Sequence, residues 1–298
     1  MKDIIIIGSG PAGLSAAVYG RRAGLDILVI EKEYCGTGQI AESGQVDNYL
    51  GIPGIDGYSL GEKFREHAEN LGTAFLEEEV TKLEQSDGYW KVLLADGDVL
   101  ETKTVIYAAG ASHRHLNVPG EDKLSGRGVS YCATCDGAFF QGKTTAVIGG
   151  GDTALDDALY LSQICEKVYL IHRRDEFRGN AGTVQKVKDA ENIEILTNAR
   201  VQEIQGEQRV EAVVLDNGKK LEVDGVFAAV GMEPVTGLLR GIAELDEYGY
   251  VAAGEQGITS AQGIFVAGDV RTKALRQVIT AAADGANAAT EAEKYIRR

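Results

Sequence analysis

The stretch Ile4-Ile5-Ile6-Ile7-Gly8-Ser9-Gly10-Pro11-Ala12-Gly13, followed by an apolar helical run from Leu14 to Ala23, decides the fold. Four consecutive isoleucines read as a strand buried on both faces, the pattern of a parallel sheet. A second apolar run, Ile27 to Ile30, ends at Glu31. Strand, G-x-G-x-x-G, helix, strand, acid is the full context of a dinucleotide-binding unit. Gly8 makes the tight turn, Gly10 lets a pyrophosphate approach the backbone, and Gly13 lets helix and strand pack closely. The phosphates would sit at a helix N-terminus, where free N–H groups and the helix dipole favour anions. Glu31 would accept hydrogen bonds from a ribose.

The pattern recurs 141 positions later. Ala146 to Ile148 supply the strand, Gly149-Gly150-Gly151-Asp152-Thr153-Ala154 the turn, Asp156 to Gln163 the helix and Val168 to Ile171 the next strand. Glu31 lies 23 residues after Gly8, but 23 residues after Gly149 stands His172. The chain there reads His172-Arg173-Arg174, with Arg178 a helical turn further on. A carboxylate would select a free 2′-hydroxyl, whereas this cluster suits a 2′-phosphate, so NADPH is expected rather than NADH. A solvated basic strand end is the other reading of the same residues. Two nucleotide units of different specificity make a poor binding module and a good electron relay. One would hold a flavin, FAD, and the other would dock the hydride donor.

Composition agrees. The chain has 38 glycines in 298 residues, clustered after apolar runs where a backbone must turn or approach a ligand. A net charge of −15 disfavours nucleic acid and anionic membrane surfaces as partners. The apolar start is too short for a signal peptide, and no run of about 20 apolar residues exists. Four cysteines, Cys35, Cys132, Cys135 and Cys165, do not make a secreted disulfide framework. A cytoplasmic protein is expected.

Between the two units lies Tyr131-Cys132-Ala133-Thr134-Cys135-Asp136-Gly137. Taken alone, a C-x-x-C is half a zinc site, a redox pair or a coincidence. Zinc needs four ligands, and no second C-x-x-C or H-x₃₋₅-H exists to complete the set. The redox reading is therefore favoured, and such pairs often carry a lowered thiol pKa where they start a helix. Asp136, beside the second sulfur, suits proton transfer to and from a leaving thiolate, or the N-cap of a helix. Cys35 and Cys165 are isolated, and either suits a small core position.

Together these blocks resemble the low-molecular-weight thioredoxin reductases, flavoproteins of the pyridine nucleotide-disulfide oxidoreductase class. The match runs nearly end to end and includes His172 to Arg178, Gly268-Asp269-Val270-Arg271 and Leu275-Arg276-Gln277-Val278. The resemblance implies that Asp269 holds the ribityl chain of FAD and that Arg276 and Gln277 open a helix facing the flavin ring. It also places Gln39 and Asn48 along the flavin, with Ala108-Ala109-Gly110 as a turn against the cofactor. It further implies that Cys135 faces the flavin, that Cys132 attacks the partner disulfide, and that Asp136 serves as acid. The implied architecture is α/β, with two Rossmann-like three-layer nucleotide-binding domains, the second inserted into the first. This gives an FAD domain over 1–112 and 242–298 and an NADPH domain over 113–241. Ser112 to Gly120 and Thr236 to Ala243 are the expected hinges, and a homodimer acting on thioredoxin or a thioredoxin-like disulfide protein is the expected assembly.

Three departures from the family pattern stand out. Gly36-Thr37-Gly38-Gln39 replaces a tighter Gly-Gly-Gln turn, Asp156-Asp157 replaces a glutamate pair, and Gly179-Asn180 follows Arg178. Alternatives within the same chemistry are another donor, ferredoxin or NADH, or another client, a glutaredoxin-like or peroxiredoxin-like protein. A non-catalytic redox switch built on the C-x-x-C is the reading from a different class.

Overall fold

In the computed structural model, which describes residues 1–32, 37–43 and 45–298, the four isoleucines lie in β1 (Lys2–Ile7). Successive side chains of a strand point to opposite faces. Ile4 and Ile6 accordingly enter one apolar cluster, and Ile5 and Ile7 enter another on the reverse side of the sheet. Both faces are covered, which is why the run carries no alternation of polar residues.

The chain divides into two compact units, Met1–Ser112 with Glu233–Arg298, and His113–Met232. In the first, β1 is followed by α1 (Pro11–Arg22), β2 (Ile27–Glu31), α2 (Gly57–Asn70) and β3 (Ala74–Glu77). An antiparallel meander then runs through β4 (Val80–Ser86), β5 (Tyr89–Leu94) and β6 (Val99–Tyr107). The sheet order is β3-β2-β1-β6-β5-β4, with β1, β2, β3 and β6 parallel. The short strand β7 (Ala111–His113) leads out of this unit.

The inserted unit opens with α3 (Glu121–Leu124), β8 (Val129–Ser130) and α4 (Ala133–Asp136). Its nucleotide-type core follows as β9 (Thr144–Gly149), α5 (Asp152–Ser162), β10 (Lys167–Ile171), α6 (Ala181–Asp189) and β11 (Ile193–Leu196). An antiparallel set, β12 (Val201–Gln205), β13 (Ala212–Leu215) and β14 (Lys220–Glu222), precedes β15 (Gly225–Ala229). The parallel order is β11-β10-β9-β15-β8. Here too the central strand is buried twice over, Ala146 and Ile148 on one face and Val147 on the other.

The chain returns through β16 (Met232–Pro234) at 232/233, nine residues before the boundary expected at 241/242. The segment 233–241 is held in the first unit by its own contacts. Val235 N donates to Gly110 O (3.1 Å), Tyr107 Oη donates to Val235 O (2.8 Å), and Leu239 is fully buried in that unit's core. Thr236 to Ala243, expected as a hinge, therefore contains a packed 3-10 turn (Gly237–Leu239). Finally β17 (Ile264–Val266) pairs with the second half of β6 while β5 pairs with its first half, and α7 (Val278–Ile296) packs on α1.

Candidate active site: two nucleotide turns and a redox disulfide

In the first turn the outer glycines answer to the protein. Gly8 has φ +101°, and a Cβ there would strike the Ala108 carbonyl. A Cβ on Gly13 would overlap the Gly8 carbonyl. Gly10 is different, because the nearest atom to its missing Cβ, Thr37 O, lies at an ordinary 3.8 Å. Among the described residues nothing forbids a side chain there, so this face fits a ligand approaching the backbone. Gly10 is the N-cap of α1 and supplies no side-chain cap, which leaves first-turn N–H groups for an anion. Ser9 is fully buried, and Pro11 and Ala12 begin the helix. The Glu31 carboxylate accepts from Ser9 N (2.8 Å), Ser9 Oγ (2.9 Å) and Lys32 N (2.8 Å), so it also braces the turn.

The residues linked to a flavin by resemblance gather in this same unit. The 108–110 turn abuts Gly8, and Gly110 is left-handed at φ +71°. Gly38 approaches Gly10, while Gln39 is exposed. Asn48 Nδ2 donates to Gln277 Oε1 (2.9 Å). Gln277 is the N-cap of α7 in a capping box with Thr280, and the helix itself starts at Val278, so Arg276 precedes it rather than opening it. The Arg276 guanidinium lies 4.2 Å from the Tyr250 ring centroid. Two buried polar atoms here, Asp269 Oδ1 and Arg276 Nε, have no hydrogen-bond partner. Burial raises the Asp269 carboxyl above its ordinary range, with Asp284 adding to the rise, while Lys273, Arg276 and Arg271 pull it back. Orphaned buried polar atoms are rare in folded proteins, and an acceptor and a donor beside an open nucleotide turn fit a polyhydroxylated cofactor such as FAD. Cys35 and Gly36 lie outside the described residues.

The second turn repeats the logic. A Cβ on Gly149 would strike the Ala229 carbonyl and the Ala154 methyl, whereas one on Gly151 meets no described atom within 4 Å. Gly151 is the N-cap of α5, again without a side-chain cap, and Asp152 and Thr153 are exposed in its first turn. The basic cluster divides. His172 is buried, stacked on Phe177 (5.3 Å) with Nε2 3.1 Å from Glu176 O, and its ring fills the space beside Gly150. Its side chain thus shapes the turn, and the exposed cations are Arg173, Arg174 and Arg178. Among the described residues no carboxylate pairs with these three. Arg178 N donates to Gly150 O (2.8 Å), which pins that loop to the turn. The departures after it have local reasons. A Cβ on Gly179 would collide with Leu155, and Asn180 caps α6 by accepting from Gly182 N (2.8 Å).

Cys132 and Cys135 are joined as a disulfide, Cα atoms 5.3 Å apart, with Cys132 as N-cap of α4. Asp136 ends that short helix and caps none through its side chain. Instead its Oδ2 accepts from Ser130 Oγ (2.6 Å), and Ser130 Oγ accepts from Cys132 N (3.1 Å). Burial raises the Asp136 carboxyl, and the Ser130 hydrogen bond opposes that shift. A half-buried acid that holds its proton more tightly than a free carboxyl is suited to proton transfer. Sequence reasoning missed Ser130 and also Glu121, which is almost fully buried. Glu121 accepts from Leu116 N (2.8 Å), Asn117 N (2.7 Å) and Tyr131 Oη (2.9 Å), fixing the residue before Cys132. A buried glutamate beside a proline-glycine turn carries no local signature, because its partners are loop amides. Cys165, the remaining described thiol, is buried and free.

Known proteins place this arrangement. A family model for pyridine nucleotide-disulphide oxidoreductases matches residues 2–285. The chain is 41% identical to the thioredoxin reductase of Bacillus subtilis (strain 168) over 300 residues, 99% of this chain and 94% of that protein. It is 43% identical to that of Treponema pallidum (strain Nichols), covering 99% and 97%. The crystal structure of thioredoxin reductase from Streptococcus pyogenes superposes with a TM-score of 0.93 at 39% identity, covering 100% of this chain and 98% of that one. The chain belongs to the pyridine nucleotide-disulphide oxidoreductase family.

Proposed function

We propose that this chain is an NADPH-dependent thioredoxin reductase that holds FAD in the first unit, docks NADPH on the second, and reduces thioredoxin through Cys132 and Cys135. The observation that carries the reading is the Cys132–Cys135 disulfide backed by the Ser130–Asp136 pair, in a chain with two open nucleotide turns. FAD, when bound, accepts a hydride equivalent and passes two electrons on to a disulfide. Gly8 to Gly13, Glu31, Asn48, Asp269, Arg276 and Gln277 would hold it, and Gly149 to Thr153 with Arg173, Arg174 and Arg178 would hold NADPH.

The protein's own steps are thiol chemistry. Two electrons open the Cys132–Cys135 bond, and Asp136 delivers a proton to one of the two sulfurs. The Cys132 thiolate attacks one sulfur of the client disulfide, forming a mixed disulfide and breaking the client's bond. Asp136, left as a carboxylate by the first step, takes the proton back from Cys135, passes it to the leaving client thiolate and is reprotonated from solvent. The Cys135 thiolate then attacks Cys132 Sγ, remaking the internal disulfide and releasing the second client thiolate. A net charge of −15 would steer a client with a basic rim, at a rate that falls as salt rises.

We further infer a cytoplasmic homodimer, as the resemblance implies. No helix among the described residues is long and apolar enough to cross a membrane. The deciding experiment mixes the yellow protein anaerobically with NADPH and with NADH and follows flavin absorbance by stopped flow. Fast bleaching by NADPH and slow bleaching by NADH support the reading, and absence of bleaching by either points to another donor. A Cys135→Ser variant should bleach yet fail to turn over thioredoxin; full turnover by it would sink the mechanism.

A further inference from the structure

The dipeptide Asp284-Gly285 on α7 lies where three elements of the first unit converge. The Asp284 carboxylate is buried and accepts four hydrogen bonds, from Arg271 Nε (2.9 Å), Arg271 Nη2 (2.6 Å), Lys273 Nζ (2.9 Å) and Gly268 N (3.0 Å). All four donors belong to the loop that carries Asp269. One residue on, a Cβ at Gly285 would overlap the Ala12 carbonyl, so α7 is seated directly on the fingerprint helix. Ser15 Oγ donating to Ala282 O (2.6 Å) repeats that contact one turn away. The buried acid Asp284 thus ties the Asp269 loop to α7, and its neighbour Gly285 seats α7 on the phosphate-turn helix.

The charges are informative. Arg271 and Lys273 bring two positive charges to one Asp284, and their side chains are almost fully buried. The surplus positive charge faces Asp269, whose Oδ1 is 3.9 Å from Lys273 Nζ and accepts no hydrogen bond. Arg276 is a third cation acting on Asp269, so an ionised Asp269 answers the surplus charge while leaving its oxygen available to a hydroxyl donor.

We propose that Asp284 and Lys273 are positioning residues for FAD, aiming Asp269 as an ionised acceptor at the cofactor's hydroxyls and registering it with the fingerprint turn. The inference rests on the FAD reading above. Neither residue need touch the cofactor.

The test titrates FAD into apoprotein and follows quenching of flavin fluorescence, alongside the thermal midpoint of the apoprotein. Lys273→Met leaves the Arg271–Asp284 pair in place, so the apoprotein should melt near wild type. Its FAD dissociation constant should rise roughly tenfold, the loss of one charge-assisted interaction, and rise further as pH falls, because Asp269 protonates earlier. Asp284→Asn should weaken FAD by roughly ten- to hundredfold. Should Asp284→Asn fold poorly, a triple Arg271→Met, Lys273→Met, Asp284→Leu variant decides, since an apolar set often replaces a buried ion cluster without loss of stability. A triple variant that melts like wild type yet binds FAD weakly supports positioning. Wild-type FAD affinity in Lys273→Met and in the triple variant overturns the inference. A wild-type apoprotein that binds no FAD overturns the FAD reading instead.

Discussion

The two glycine turns are built alike and finished differently. In both, the first position packs against a backbone carbonyl, Ala108 O for Gly8 and Ala229 O for Gly149, and the last position meets the first. In both, the middle glycine, Gly10 or Gly151, meets no described atom closer than ordinary van der Waals contact, at a helix N-terminus with no side-chain cap. The difference comes at the end of the second strand. There the first unit places Glu31 under Ser9, and the second places Arg173, Arg174 and Arg178 at the surface. A phosphate cradle is therefore a generic backbone device, while the identity of the ligand is set by a few side chains about 23 residues downstream.

The largest expected effect removes that finish. Replacing Arg173 and Arg174 by Ala should cut the preference for NADPH over NADH by on the order of 10²- to 10⁴-fold. Flavin bleaching rates against both donors measure it. An unchanged preference would leave the arginines as a solvated strand end and break the comparison.

Next come the glycines themselves. Gly8→Ala should destabilise the fold by about 2–4 kcal/mol, through its positive φ and the Ala108 carbonyl. Gly10→Ala should leave the apoprotein's thermal midpoint unchanged and weaken FAD binding. Gly151→Ala should do the same for NADPH. If Gly10→Ala and Gly8→Ala destabilise the apoprotein equally, the division between structural and ligand-facing glycines is wrong.

The smallest effect concerns α5, which begins at the second turn. Burial, with Asp156 adding to it, raises the Asp157 carboxyl to about 7. The folded state thus holds this proton more tightly than the unfolded chain does. Its contribution favours folding at low pH and is lost as pH rises from about 4 through 7. Asp157→Asn should therefore stabilise the protein at pH 8, by on the order of 1–3 kcal/mol, and change little near pH 4. Urea unfolding at the two pH values tests this, and an equal gain at both would show that ionisation is not the cause.

Much of the plan was legible because it is local. A turn that needs left-handed backbone, a helix that starts on glycine, and cysteines three apart are coded within a few residues, and so were read correctly in place. The likeness of Gly268-Asp269-Val270-Arg271 draws attention to Asp269, while nothing local draws it to Asp284, fifteen residues further on. A single acid among alanines signals only that something must pair with it. Which cations do so depends on how α7 docks on the loop.

The amino-acid sequence by itself determined the doubly repeated nucleotide architecture, the redox pair and a basic cluster in place of an acid, because each follows from backbone chemistry at fixed spacing. Only the tertiary structure decided that His172 turns inward while the arginines remain exposed. The same holds for Asp136 serving Ser130 rather than capping a helix, and for the return crossing at 232/233. These outcomes turn on burial and on partners set by packing. Desolvation penalises an unpaired polar group by an amount that depends on neighbours far away in the chain, and no local pattern of residues encodes those neighbours.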